Sequence, residues 1–486
     1  MMKSENLLLL ADAYKYSHYK LYVPGTTKIY SYLESRGGTF DKTVFYGLQY
    51  YLKKYLEGPA FSKEDVDEAE ATLDDVFGRK GVFKRENFEY ILHRYNGHLP
   101  VRIKAVPEGS VVPVHNVLMT IENTDPACFW LTNFLESLIM QVWYPSTVAT
   151  LSHHIKEIIS GYFHQTASPS ALPSVDYVLN DFGLRGVSSV ESAALGGSAH
   201  LLSFLGSDTV YASQFAKKYY KASKVYGASV PATEHSIMTL LGKKGEREVF
   251  EHVLQAYPEG ILSCVSDSYN IFDAVRNLWG DTFKEQILHR KGTLVIRPDS
   301  GDPVRTLITV FEILFEKFGF TVNEKGYKVL PSQVRVIQGD GIDHESIQGI
   351  YAALKNENIS AENLVLGMGG ALLQKVNRDT QKFALKCSYA EVNGQAVEVK
   401  KAPVEINANG EVITSFKTSK SGRLKLVKNN GYATRRENED SSRDELQTVF
   451  ENGIIQQEYT FEDVRARIAL SQLDKTRSVE LNAEWK

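Results

Sequence analysis

The chain has 486 residues, 43% of them hydrophobic and 23% charged, close to the average for a globular protein. Lys and Arg number 55 against 59 Asp and Glu, a net charge of −4, so no overall basic field favours nucleic acid or anionic lipid. Any polyanionic ligand must therefore meet a local cluster of cations. Cys128, Cys264 and Cys387 are odd in number, far apart and outside any CxxC or Cys/His ligand spacing, which excludes a disulfide scaffold and argues against structural zinc.

The apolar run Leu7–Ala11 is cut by Asp12, and no stretch reaches the roughly 18 apolar residues that a membrane span needs. The expectation is a cytoplasmic, metabolic-enzyme-sized protein of roughly two or three domains, with neither nucleic acid nor membrane as partner. Ser62-Lys-Glu-Asp65 reads as a capping box; Val66, Ala69, Leu73 and Phe77 follow at helical spacing, and Gly78 is the stop. Val101–Val106 and Val111–Val114 read as short strands around a Pro107-Glu-Gly109 turn, and Cys128–Val142 as a buried helical segment.

After about residue 175 short apolar runs recur: Val175–Leu179, Ile261–Val265, Leu294–Ile296, Val334–Ile337, Leu364–Leu366 and Phe383–Leu385. Helix-like stretches such as Thr306–Phe318 and His344–Lys355 lie between them. Continuous apolar strands alternating with helices predict a parallel sheet covered by helices. Six clear units, with room for weaker ones near Leu202 and Ser229, favour a barrel over an open sheet. In a barrel the residues just past each strand share one face, where active sites sit.

Three strand ends carry charge or glycine. Arg297-Pro-Asp299-Ser300-Gly301 sets a cation, a carboxylate and a hydroxyl after one strand, and Gln338-Gly339-Asp340-Gly341 sets an acid between glycines. Gly367-Met-Gly369-Gly370 lets backbone N–H groups approach phosphate oxygens, yet it lacks the dinucleotide fingerprint. Taken singly, these are equally an ion pair and ordinary tight turns. Together they point to a phosphate or pyrophosphate site, with Asp267, Asp299 and Asp340 as Mg²⁺ or water partners. Other strand ends suit an aromatic ligand: Phe182 stands three residues before Arg185, Asp208 supplies a carboxylate, and Glu234-His235 pairs an acid with a histidine. That histidine is either a satisfied structural group or a phosphate acceptor or acid/base.

With these residues assembled, the sequence resembles the nicotinamide phosphoribosyltransferases of the nicotinate/nicotinamide phosphoribosyltransferase family along nearly its whole length. The motifs that carry the likeness include Asp12-Ala-Tyr14-Lys15, Thr43-Val-Phe-Tyr-Gly-Leu-Gln49, Asp181-Phe-Gly-Leu-Arg-Gly-Val-Ser-Ser189, Ser229-Val-Pro-Ala-Thr-Glu-His-Ser236, Val265-Ser-Asp-Ser-Tyr269, Ile296-Arg-Pro-Asp-Ser-Gly301 and Val336-Ile-Gln-Gly-Asp-Gly341. The resemblance implies an irregular (β/α) barrel of the type II phosphoribosyltransferase kind with a second α+β domain built from both chain ends. The expected parts are 1–150, a barrel over 151–385, and 386–486.

The resemblance also implies a reaction: nicotinamide and phosphoribosyl pyrophosphate giving nicotinamide mononucleotide and pyrophosphate, with Mg²⁺ and an activating ATP, in a homodimer with shared sites. Phe182 is then expected on one face of the nicotinamide and Tyr14 of the partner subunit on the other. Asp208 should hold the carboxamide, with Arg185 near both substrates. Arg297, Asp299, Gly339, Asp340, Gly369, Gly370 and Arg378 should surround the ribose phosphate, and Asp12 and Ser263 are further substrate contacts. Arg36 and Lys386 belong at pyrophosphate or ATP phosphates. His235 matches the histidine that ATP phosphorylates, with Glu234 its neighbour and Asp267 and Asp299 the other catalytic candidates. The alternatives are a nicotinate-specific enzyme of the same fold, a non-catalytic protein, and an unspecified phosphate-binding barrel enzyme.

Overall fold

A computed structural model describes residues 5–406, 410–414, 418–429 and 431–471. The outer ends of the expected parts 1–150 and 386–486, and three short stretches of the latter, lie outside the described residues. The chain forms two compact units, one of Met1–Thr150, Lys218–Lys221 and Asn377–Lys486, the other of Leu151–Lys217 and Ala222–Val376.

The second unit is built on a six-stranded sheet in the order Gly206–Ser207, Leu179–Asp181, Leu364–Met368, Val334–Gln338, Lys291–Arg297, Glu259–Val265. Every pairing in it is parallel. Leu294, Ile296, Val334, Val336, Leu364 and Leu366 are fully buried, as strands covered on both faces require. Bridges Gly206–Ala228 and Ala232–Ser263 tie one segment to both edge strands, so the sheet curls into an irregular barrel. Pro303–Phe318 is a covering helix: Asp302 caps it by accepting from the Arg305 N–H, Pro303 opens it, and Leu307, Val310, Phe311 and Leu314 line its buried stripe. His344–Asn356 starts from an Asp343 capping box.

Two expected barrel strands differ. Val175–Leu179 is mostly a 3-10 segment, Pro169–Tyr177, because Pro169 and Pro173 withhold ladder donors; the strand begins only at Leu179. Near Ser229 there is no regular strand, only the two bridges, since Pro231 interrupts the run of N–H donors.

The first unit contains a seven-stranded antiparallel sheet in the order Gln395–Glu398, Phe383–Val392, Thr26–Ser35, Val117–Asn123, Val101–Ala105, Gln447–Glu451, Ile454–Ile455. Phe383–Leu385 therefore opens a long antiparallel strand instead of a barrel strand. The alternation of buried Phe383 and Leu385 with more exposed Ala384 and Lys386 is the period of a half-buried strand. Lys63–Phe77 is a helix with the Ser62–Asp65 capping box in place and Gly78 left-handed at its end. Cys128–Val142 is helical only in broken single turns.

Candidate active site

The barrel unit brings His235, Asp267, Asp299, Arg297 and Phe182 into a connected network. His235 opens the short helix His235–Met238. Its approach is pinned to strand Glu259–Val265, because the Thr233 N–H donates to the Ser263 carbonyl and the Thr233 hydroxyl accepts from the Val265 N–H at 2.9 Å. His235 Nε2 lies 2.9 Å from Asp267 Oδ1, with the ring half exposed and the carboxylate 3% exposed. A carboxylate only accepts, so in this bond the Nε2 N–H donates to Asp267. The other oxygen of Asp267 accepts from the Asp299 N–H at 3.1 Å and the Ser300 hydroxyl at 2.6 Å.

Asp299 in turn takes Arg297 side-on, at 3.2 Å from Nε and 2.9 Å from the terminal nitrogen. The Arg297 guanidinium stands 6.0 Å from the Phe182 ring centre. A side chain at Gly367 would run into that ring, with an added Cβ 2.0 Å from Cε2, and one at Gly339 would sit 3.4 Å from Asp299 and 3.7 Å from Phe182. Gly367 is needed for the flat ring to lie against the strand ends, whereas at Gly339 an added Cβ would make only ordinary contact.

Asp208 is exposed, accepts from the Ser229 hydroxyl at 2.5 Å, and donates its backbone N–H to the Asp181 carbonyl at 2.9 Å. Asp181 is fully buried; one oxygen accepts from the Gly183 N–H at 2.7 Å and the other has no hydrogen-bond partner among the described residues. Burial lifts its pKa to about 6. Sequence reading passed over it, although its place at a strand end was a signal. It also passed over Gln338, fully buried, which holds the Asp340 carbonyl at 2.8 Å.

Other expected residues stand apart from this network. Arg185 is exposed on the single turn Leu184–Gly186, Glu234 is exposed and engaged by Ser236, and Asp340 is exposed. Gly369 and Gly370 open only a four-residue helix, Gly370–Leu373, so backbone N–H groups are their contribution rather than a helix dipole. Ser263 is a strand-interior residue, paired with Val295, not a strand-end group. Among the described residues no three His, Cys, Asp or Glu side chains converge into a metal cage. Asp267 and Asp299 have both oxygens engaged, so these carboxylates fit Mg²⁺ through water or alongside ligand phosphates rather than as a preformed site.

Tyr14, Asp12, Arg36, Arg378 and Lys386 all belong to the other unit, where they line one cavity of about 820 Å³ with Lys382, Lys401 and Glu136. Arg36 ends strand Thr26–Ser35, and its backbone N–H donates to the Lys382 carbonyl at 3.3 Å. Gln381, fully buried, accepts from the Phe40 N–H at 2.9 Å and donates to the Lys42 carbonyl at 3.1 Å. Those bonds stitch the two cation-bearing segments together, and no pattern signal marked Gln381. Burial lowers the Lys386 pKa; Glu136 opposes the shift, while Arg36, Lys401 and Arg378 add to it. Cations crowded to that degree favour an anionic ligand. Asp12 accepts from the Ser137 hydroxyl at 2.6 Å, and the Tyr14 ring is 57% exposed. No helix among the described residues is long and apolar enough to cross a membrane.

Residues 177–454 match the nicotinate phosphoribosyltransferase (NAPRTase) family, and residues 6–103 match the nicotinamide phosphoribosyltransferase N-terminal domain. The chain is 45% identical over 479 residues to a nicotinamide phosphoribosyltransferase of Xanthomonas campestris pv. campestris, covering 96% of this chain and 99% of that protein. It is 34% identical over 505 residues to one from Acinetobacter baylyi, covering 96% and 97%. In fold it is similar to a nicotinate-nucleotide pyrophosphorylase from Pyrococcus furiosus, with TM-score 0.59 at 15% identity over 98% of this chain and 97% of that one. A human nicotinic acid phosphoribosyltransferase gives TM-score 0.55 at 17% identity over 95% and 93%.

Proposed function

The chain belongs to the nicotinate phosphoribosyltransferase family, a family of pentosyltransferases, and we propose that it acts as its nicotinamide-specific members do. It is a nicotinamide phosphoribosyltransferase, making nicotinamide mononucleotide and pyrophosphate from nicotinamide and phosphoribosyl pyrophosphate in NAD salvage. The observation that carries this reading is the likeness to nicotinamide phosphoribosyltransferases over nearly the full length of both chains.

In the reaction the pyridine nitrogen attacks the ribose carbon as its bond to pyrophosphate oxygen breaks, through an oxocarbenium-like state. Phe182 stacks on the base, which turns cationic as the bond forms; aromatic faces attract cations by about 0.5–2 kcal/mol. Arg297, held by Asp299, sits where charge gathers on the phosphates, and a cation fixed in advance contributes most there. Asp208 accepts from the carboxamide N–H₂ and repels the carboxylate of nicotinate, so it selects nicotinamide. The exposed rings and chains at Leu184, Val190, Val210, Tyr211, Leu240 and Leu241 support a homodimer, and exposed Tyr14 suits a residue lent to a partner's site. Mg²⁺ carried on the pyrophosphate supplies charge neutralisation of the leaving group.

ATP stimulates the enzyme by phosphorylating His235. The Nδ1 lone pair of the neutral imidazole attacks the γ-phosphorus, the bond to the ADP oxygen breaks, ADP leaves, and Asp267 holds the Nε2 proton throughout. Pure protein with nicotinamide, phosphoribosyl pyrophosphate and Mg²⁺, with and without ATP, tests the assignment: nicotinamide mononucleotide in both tubes and more with ATP is expected. Absence of product from both would overturn it. Full ATP turnover and stimulation in His235→Ala would remove the phosphohistidine.

A further inference from the structure

Strand Thr26–Ser35 ends in an arrangement that composition does not demand: a carboxylate, Glu34, whose side chain is 3% exposed, held between two cations. One oxygen accepts from Arg36 Nε at 2.7 Å, and the other is in contact with the Lys420 ammonium. Lys420 is fixed in turn, because its backbone N–H donates to the Tyr32 hydroxyl at 2.8 Å. The Arg36 side chain is itself 8% exposed, and one of its terminal nitrogens is buried without a partner among the described residues. Arg36 nonetheless lines the cation-rich cavity with Arg378, Lys386 and Lys401.

A guanidinium gripped at Nε can no longer swing about its long side chain; one terminal nitrogen is buried, and the part of Arg36 that lines the cavity is what an anion can meet. A carboxylate shared by two cations leaves the cluster with a net positive charge, so the grip orients Arg36 without cancelling its attraction for phosphate. Buried charged hydrogen bonds of this kind hold geometry more firmly than neutral ones. A stabilising ion pair alone needs neither the second cation nor a place beside the cavity.

We propose that Glu34 is a positioning residue for the pyrophosphate end of phosphoribosyl pyrophosphate, acting through Arg36. This rests on the proposed function, and the test separates the two. In Glu34→Gln, KM for phosphoribosyl pyrophosphate rises about ten-fold or more and inhibition by pyrophosphate weakens in parallel, while KM for nicotinamide stays within about two-fold. Arg36→Ala shows the same selective rise, and the double variant is no worse than Arg36→Ala alone, because one residue works through the other. Glu34→Asp keeps the charge but draws it back from Nε; it gives a smaller rise of the same kind and serves if the Gln variant does not fold. Were Arg36→Ala to raise KM for phosphoribosyl pyrophosphate while both Glu34 variants changed only thermal stability, the positioning role would be wrong. If Arg36→Ala itself left that KM unchanged, the placement of pyrophosphate at Arg36 fails, and the Glu34 role with it, while the enzyme assignment stands on product formation.

Discussion

The barrel unit and the antiparallel unit both carry charged groups suited to a sugar diphosphate, but they hold them by opposite means. In the barrel network the charges are held in pairs: His235 by Asp267, Asp267 also by Asp299 and Ser300, Asp299 by Arg297. Around the cavity of the other unit, Arg36, Arg378, Lys382, Lys386 and Lys401 face only a few acids, and burial and mutual repulsion depress Lys386. A paired network fixes geometry, which suits the proposed place of bond making and breaking; a surplus of cations favours an anion.

Breaking the paired network should have the largest consequence. Arg297→Ala strands the Asp299 carboxylate and removes a fixed cation, and kcat/KM is expected to fall by about 10²–10³, read from initial rates of mononucleotide formation. Asp181 gives a stability test in the same unit. Its pKa is raised from 3.8 to about 6, so the folded state holds a proton that the unfolded state releases. Its contribution is therefore full below about pH 4 and is lost as pH rises through about 6, a swing on the order of 3 kcal/mol. Asp181→Asn keeps an acceptor for the Gly183 N–H and should flatten thermal unfolding against pH over that window, with the variant more stable at pH 7. Phe182→Ala should raise KM for nicotinamide by about ten-fold and leave KM for phosphoribosyl pyrophosphate nearly unchanged. The smallest effect belongs to the antiparallel unit: Ser62→Ala removes the helix cap and should cost about 1 kcal/mol in denaturant unfolding, without changing either KM.

Much of this contrast was legible in the sequence, and the reasons are local. The Ser62–Asp65 box and Gly78 fix a helix by short-range hydrogen bonds and one left-handed residue, and the run Leu294–Arg297 reads as a strand because both its faces are covered. Strand assignment at Phe383 failed because a three-residue apolar run looks alike in a parallel core and in a half-buried antiparallel strand; only the half-buried pattern of the longer strand, which slips at Lys386–Cys387, separates them. Proline decided the errors at Val175 and near Ser229 by removing ladder donors. Within the candidate site, Phe182, Arg297 and Asp299 stand at or just past strand ends, as their motifs suggested, whereas His235 opens a short helix after a segment held by bridges alone. Gln381 and Glu34 gave no such signal: Gln381 meets Phe40 and Glu34 meets Lys420 across hundreds of residues, and the two-residue step from Glu34 to Arg36 is too common to mark a site.

The central claim is chemical: this active site joins an amide-bearing pyridine, not its acid, to a ribose phosphate. A single reaction with equal concentrations of nicotinamide and nicotinate, limiting phosphoribosyl pyrophosphate, Mg²⁺ and ATP, analysed by mass spectrometry, tests it directly. Nicotinamide mononucleotide as nearly the sole product is the predicted result; nicotinate mononucleotide in equal or greater amount would contradict it.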